Sequence, residues 1–152
     1  MKILVISDSH GRSEYIIEAI EKEKPDLIIS GGDYSEDAEE ISFAFSDLPF
    51  EIVRGNCDFY DMKHRDELTL DILGKKIFIT HGHLYGVKST YGKIESQGEK
   101  IGADIVIFGH THKPYLEKKS LVTLFNPGAL MNKEYGLINI FQDSVDFIHK
   151  KI

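Results

Sequence analysis

The chain has 152 residues, 41% hydrophobic and 28% charged, the size and balance of one domain spanning 1–152 with a core of its own. Its net charge of −7 argues against general nucleic-acid binding, because an acidic surface repels phosphate backbones; no apolar run reaches the ~18 residues of a membrane span. Cys57 is the sole cysteine, so no intrachain disulfide can form, and with a leading apolar run too short for a secretory signal the expected setting is reducing and cytoplasmic.

Residues 2–6, "KILVI", read as a continuous apolar strand of the kind buried on both faces. Ser13 is placed to cap a helix that runs to about Glu23, with Tyr15, Ile16, Ala19 and Ile20 on one face. Pro25 follows, and "DLIIS" is a second strand. After the loop "GGD", Ser35 with Glu36 and Asp37 opens a second helix that ends near Asp47, before Pro49. "FEIVRGN" is a third strand, and the βαβαβ order implies a parallel sheet with crossover helices.

The second half reads differently. "ELTLDILGKKIFIT" is a hairpin turning at Gly74, and a helix is expected from about Lys88 to Ile101. "ADIVIFG" is the next strand, and "LVTLFN", "YGLINIF" and "VDFIHKK" read as an antiparallel meander. The fold class is α/β, with two stacked β-sheets and helices outside. Phe43 and Phe45 are expected in the core, and His64 and His149 on the surface.

Polar residues gather where the strands end: Asp8 and His10 in "SDSHG", Asp33 in "GGD", Asn56, Cys57 and Asp58 in "GNCD", His81 and His83 in "THGH", His110 and His112 in "GHTH". In open α/β sheets, ligands bind beyond the carboxyl ends of the strands. In extended chain, residues i and i+2 point to one side, so Asp8 with His10, and His110 with His112, are expected to face common points. A lone strand-end histidine is more often structural than a ligand. Five at glycine-flanked strand exits call for a shared cause, since a buried ring without partners costs free energy. Asp, Asn and His form a mixed nitrogen and oxygen donor set, suited to Mn²⁺, Fe²⁺, Zn²⁺, Ni²⁺ or Co²⁺ rather than to a calcium cage. Seven candidate ligands exceed the needs of one ion and suit two ions bridged by a carboxylate.

The ordered set D-x-H, GD, GN-x-D, GH and GHTH resembles the calcineurin-like metallophosphoesterase superfamily. With "NPGAL" as a further matching loop, the chain looks most like the small single-domain YfcE-type phosphodiesterases. The resemblance implies a four-layer α/β/β/α sandwich of two mixed sheets. It also implies a metal-dependent phosphodiesterase with two divalent ions, Mn²⁺ foremost, and a hydroxide between them. By motif, Asp8, His10 and His112 would hold one ion and Asn56, His81 and His110 the other, with Asp33 bridging. Asn56 could also donate to phosphate, and His83 would either contact substrate or anchor its loop.

One position departs from the pattern: Cys57 stands where most of the superfamily has the histidine of G-N-H-D. A neutral thiol substitutes poorly for an imidazolium, which predicts weak hydrolysis of esters with poor leaving groups. Cys57 is equally read as a packed small hydrophobe, Asp58 as a tie for its loop, and Arg54 as a surface pairing residue. The expected partner is a small phosphodiester, with no membrane; a homodimer is compatible with the sequence. A retromer subunit of eukaryotes resembles this fold with a degenerate site and works as a scaffold, which is the alternative reading.

Overall fold

The computed structural model describes residues Met1–Ile152. Its first sheet has the order β10-β9-β1-β2-β3, from Val145–Lys151, Glu134–Ile140, Lys2–Ile6, Leu27–Ser30 and Phe50–Ile52. The second has the order β4-β5-β6-β8-β7, from Glu67–Ile72, Lys75–Thr80, Ile105–Ile107, Thr123–Asn126 and Tyr115–Lys118. Each is mixed. β1, β2 and β3 run parallel, as do β5, β6 and β8, and antiparallel strands complete the flanks.

Period-two alternation explains the layering. Ile3 and Val5 of β1, with Ile29, Ile77, Ile79, Ile105, Ile107 and Ile138, form the core between the sheets. Leu4 and Ile6 face the other way, against Ile16, Ala19 and Ile20 of α1 (Ser13–Glu23) and Ala38 and Ile41 of α2 (Ser35–Ala44). Phe78, Val106 and Leu124 of the second sheet pack on Ile94 of α3 (Gly92–Ile101). The layers are therefore helices, sheet, sheet, helix, as the resemblance implies.

Several details differ from the sequence reading. α1 begins at Ser13, but its N-cap is Arg12 and no side chain caps it. α2 stops at Ala44, where Phe45 N–H closes on Ile41 O and a turn to Leu48 takes over. α3 starts at Gly92 rather than Lys88, because a 3-10 turn over His83–Tyr85 and turns closing on Gly86 O occupy the approach. β7 lies in "KPYLEKKS", where charges mask the alternation of an edge strand. The expected meander is split between sheets: β8 extends the parallel β5-β6 set, whereas β9 and β10 join β1. Pro127, Gly128 and a 3-10 turn at Leu130–Asn132 carry the chain across.

Two side chains are corrected too. Phe43 is exposed on the outer face of α2, beneath the Lys63 ammonium, not in the core. His64 is half-buried and bonded through its ring to Asp61 Oδ2 at 2.7 Å. His149 is exposed, as expected, while its ring stacks on Phe125 and its Nε2 donates to Asn126 O at 2.8 Å.

Candidate metal centre

The five polar segments meet where β1, β2, β3, β5 and β6 end. They do so by a route other than the extended-chain rule. Asp8, His10, Asp33, His110 and His112 all have positive φ, between 47° and 67°. Such backbone costs roughly 1–3 kcal/mol per non-glycine residue and persists only where its surroundings impose it. Here they do. Asp8 N–H donates to Gly32 O (2.9 Å), Gly109 N–H to His81 O (3.0 Å) and Met131 N–H to Asp8 O (3.1 Å). Buried Asn126 donates from Nδ2 to Gly109 O at 2.9 Å and to Thr111 Oγ1 at 3.1 Å. Left-handed turns, not strand pleats, aim these side chains inward. Asp8 and His10 still share a point, but His110 and His112 go to different ones.

Two glycines make the approach possible. A Cβ on Gly55 would lie 2.1 Å from Asp33 Oδ1, and one on Gly109 would lie 1.9 Å from Ser7 Oγ. Neither position admits a side chain without displacing a carboxylate or its anchor.

The donor atoms form two groups, Asp8 with His10 and His112, and Asp33 with His81 and His110; within each, one atom per residue lies within 4.8 Å of the others. Asp33 Oδ2 stands between the groups, 3.3 Å from His81 Nε2 and 3.7 Å from His10 Nε2. Each carboxylate has one oxygen anchored. Asp8 Oδ2 accepts from Ser7 Oγ (2.7 Å) and His110 N–H (3.1 Å), while Asp33 Oδ1 accepts from Cys57 N–H (2.9 Å). Asp8 Oδ1, His10 Nε2, Asn56 Oδ1 and His81 Nε2 are buried without a hydrogen-bond partner in the protein. His81 Nδ1 donates to Gly31 O at 2.7 Å, which leaves Nε2 as the lone-pair nitrogen facing Asp33. A divalent cation in each group would satisfy these atoms, and the donor set fits it chemically.

The electrostatics agree with that geometry. Burial alone would raise the Asp33 carboxyl, but the adjacent His81 ring and the Cys57 N–H outweigh it and hold it well below the usual range. Burial opposes protonation of His81, and Asp33 and Asp8 outweigh burial, so its pKa is raised. Burial, then His81, pushes His110 down to about 4. His83 is lowered by the same two causes; its ring lies 5.5 Å from His81 and 6.2 Å from His110, and its Nδ1 is buried without a partner.

The remaining candidates are placed as follows. Asn56 is half-buried, its Oδ1 unpartnered and its Nδ2 3.6 Å from Cys57 Sγ. Cys57 is exposed rather than packed, because only its backbone is drawn inward to Asp33; partial loss of water around the thiol and then Asp33 push it up to about 11. Asp58 accepts from Gly55 N–H (2.7 Å) and Ser35 N–H (2.9 Å), tying its loop to the start of α2. Arg54 pairs with Asp66 through Nε at 2.7 Å and Nη2 at 3.2 Å. Sequence reasoning missed Ser7, Asn126 and Tyr34, whose ring lies 4.9 Å from that of His10. The "NPG" turn was the one available signal for Asn126, whose Oδ1 accepts from Gly128 N–H at 2.9 Å.

Comparisons with known proteins place this geometry. Residues 1–140 match the calcineurin-like phosphoesterase superfamily domain. YsnB of Bacillus subtilis, described as a probable metallophosphoesterase, is 36% identical over 152 residues, covering 95% of this chain and 87% of its own. The phosphodiesterase YfcE of Escherichia coli K12 is 25% identical over 157 residues, covering 86% and 79%. Wild-type Vps29 of Entamoeba histolytica, complexed with Zn²⁺, superposes with a TM-score of 0.81 over 99% of each chain at 18% identity, a likeness of fold.

Proposed function

The chain belongs to the calcineurin-like phosphoesterase superfamily, and on that premise we propose that it hydrolyses small phosphodiesters with two divalent ions, Mn²⁺ foremost. Asp8, His10 and His112 would hold one ion, and His81, His110 and Asn56 the other, with Asp33 shared. The observation that carries this is the set of buried donor atoms on Asp8, His10, Asn56 and His81 that no protein group satisfies. When bound, the ions would supply positive charge for the phosphoryl oxygens and lower the pKa of a bound water.

The chain's own residues do the rest. Ser7 and the His110 N–H fix Asp8, the Cys57 N–H fixes Asp33, and Gly31 O fixes the His81 tautomer. The Asn56 amide hydrogens are available to a phosphoryl oxygen. No protein nucleophile is required. Cys57, neutral at pH 7, gives the leaving alcohol no useful proton, so diesters with good leaving groups should react best. The diester preference rests on YfcE's description as a phosphodiesterase.

Purified protein should hydrolyse bis-p-nitrophenyl phosphate faster than p-nitrophenyl phosphate after Mn²⁺ is added. Chelator and Asp33→Ala should each abolish that turnover. Full turnover in chelated protein would sink the metal mechanism. A scaffold role finds its best support in the exposed Phe59, Tyr60 and Met62, and metal loading without turnover would favour it.

A further inference from the structure

Beside the metal centre opens a cleft of about 540 Å³, whose lining includes Tyr34, Cys57, Phe59, Tyr60, Glu36 and Lys63. It begins at the centre itself, because Tyr34 lies against His10 and the Cys57 N–H is bonded to Asp33. A phosphodiester held at the centre would have this cleft within reach of an ester arm.

The segment that carries Phe59 and Tyr60 is tied down while its apolar side chains are exposed. Phe59, Tyr60 and Met62 are 80%, 97% and 89% exposed, yet their segment is pinned at both ends. Asp58 ties it to Gly55 and Ser35, and Asp61 accepts from Ser35 Oγ (2.5 Å) and from the N–H groups of Lys63 and His64 (2.9 Å each). Exposed apolar groups carried on a pinned segment mark a recognition surface.

Charge narrows the ligand. Four carboxylates line the cleft, those of Glu36, Glu39, Asp58 and Asp61, and Lys63 is its single cation. Burial opposes ionisation of Asp61, but its hydrogen bonds from His64 and Ser35 outweigh that and keep it charged. Glu36, exposed at the start of α2, has no ion-pair partner. A second phosphate would be repelled here. The chain also shows what is welcome: the Lys63 ammonium sits at this rim, paired with Glu39 and 5.7 Å from the centre of the Phe43 ring. Glu39 thus already holds an alkylammonium at the rim, and Tyr34, Phe59 and Tyr60 supply the cleft's own aromatic faces.

We propose that this cleft binds an ester arm bearing an ammonium group, making phosphodiesters of amino alcohols the preferred substrates and Glu36 a specificity-determining residue. The proposal rests on the diesterase reading above and sharpens it.

The test compares p-nitrophenyl phosphorylcholine with its uncharged isostere, 3,3-dimethylbutyl p-nitrophenyl phosphate, using the full Mn²⁺-loaded chain. The two arms have one shape and differ in charge. The choline ester should show a KM about tenfold lower at similar kcat, the scale of one partly desolvated cation–π and carboxylate contact. Glu36→Gln and Phe59→Ala, both at exposed positions, should each shrink that ratio. Equal KM values for the two esters, with bis-p-nitrophenyl phosphate still turned over, would overturn the proposal and leave the diesterase reading standing. Direct binding of phosphocholine against 3,3-dimethylbutyl phosphate, followed by calorimetry, separates the remaining case. Preference for phosphocholine without any diester turnover would uphold the cleft and reject the diesterase. Absence of preference in binding as well would reject the cleft.

Discussion

Two buried polar clusters in this chain are built on opposite plans. At the C-terminal end of α1, Glu23 is 5% exposed and its Oε1 accepts from Tyr135 Oη at 2.7 Å and from Lys150 Nζ at 2.9 Å. That cluster is closed: every strong donor has an acceptor and the charges offset. At the strand ends, Asp8, Asp33 and four histidines are assembled with ligand atoms turned toward one another, and several have no protein partner. Left-handed backbone at five of these residues adds strain that the Glu23 cluster lacks. The first arrangement stabilises the fold; the second is held by the fold and leaves buried donor atoms that the protein itself does not satisfy.

Substitutions should therefore separate the two. The largest effect is expected at Asp33. Asp33→Ala should lower Mn²⁺-dependent diester turnover by more than about 10²-fold, since even groups that merely orient ligands are worth 10–100-fold. It should also abolish the metal-induced rise in Tm. For the unaltered chain that rise should be about 5–10 °C at metal concentrations near 100 Kd. Steady-state kinetics checks the first half and scanning calorimetry with and without Mn²⁺ the second, and an undiminished rise in the variant would break the contrast.

Next in size is the closed cluster. Glu23→Gln should destabilise by about 1–3 kcal/mol, because Lys150 and Tyr135 lose a charged acceptor, while turnover at 25 °C stays unchanged. Burial alone would raise the Glu23 carboxyl, but Lys150 and Tyr135 outweigh it and its pKa is lowered. Its stabilisation is thus complete above the unfolded value near 4.5 and is lost as pH falls through the lower folded value. Denaturant midpoints of the two proteins should converge in acid.

The metal centre should respond to acid earlier. A proton on His81 competes directly with a metal, and its pKa is raised above 6.5 by Asp33 and Asp8 against the opposing effect of burial. The Mn²⁺-induced rise in Tm should fade as pH drops through the histidine range, well before the Glu23 contribution does. His110, pushed down to about 4, stays neutral throughout that window. A metal-induced rise that persists to pH 5 would contradict this order.

The smallest change is expected at Cys57. With its thiol pushed up to about 11, Cys57→Ser should alter turnover of p-nitrophenyl esters by less than about threefold, as steady-state kinetics would show.

The contrast also explains what could be read from the sequence. The strand exits were legible because glycine beside Asp or His after an apolar run is a local pattern. The aim of those side chains was not. Left-handed φ at Asp8, His10, Asp33, His110 and His112 comes from tertiary bonds such as Asn126 to Gly109 O, which no local pattern encodes. Likewise the helices and most strands were visible, but the parting of β8 from β9 between sheets depends on where the Pro127–Gly128 turn sends the chain. The closed cluster was invisible for a similar reason: Glu23 and Tyr135 are 112 positions apart. Cys57 misled because its backbone is the part that faces inward.

The central claim is that the strand ends hold two ions, not one. A crystal grown with Mn²⁺ and measured at the manganese absorption edge tests it directly. Two anomalous peaks per chain are predicted, one against Asp8, His10 and His112 and one against His81, His110 and Asn56, with Asp33 touching both. A single peak, or peaks away from these residues, would contradict the account.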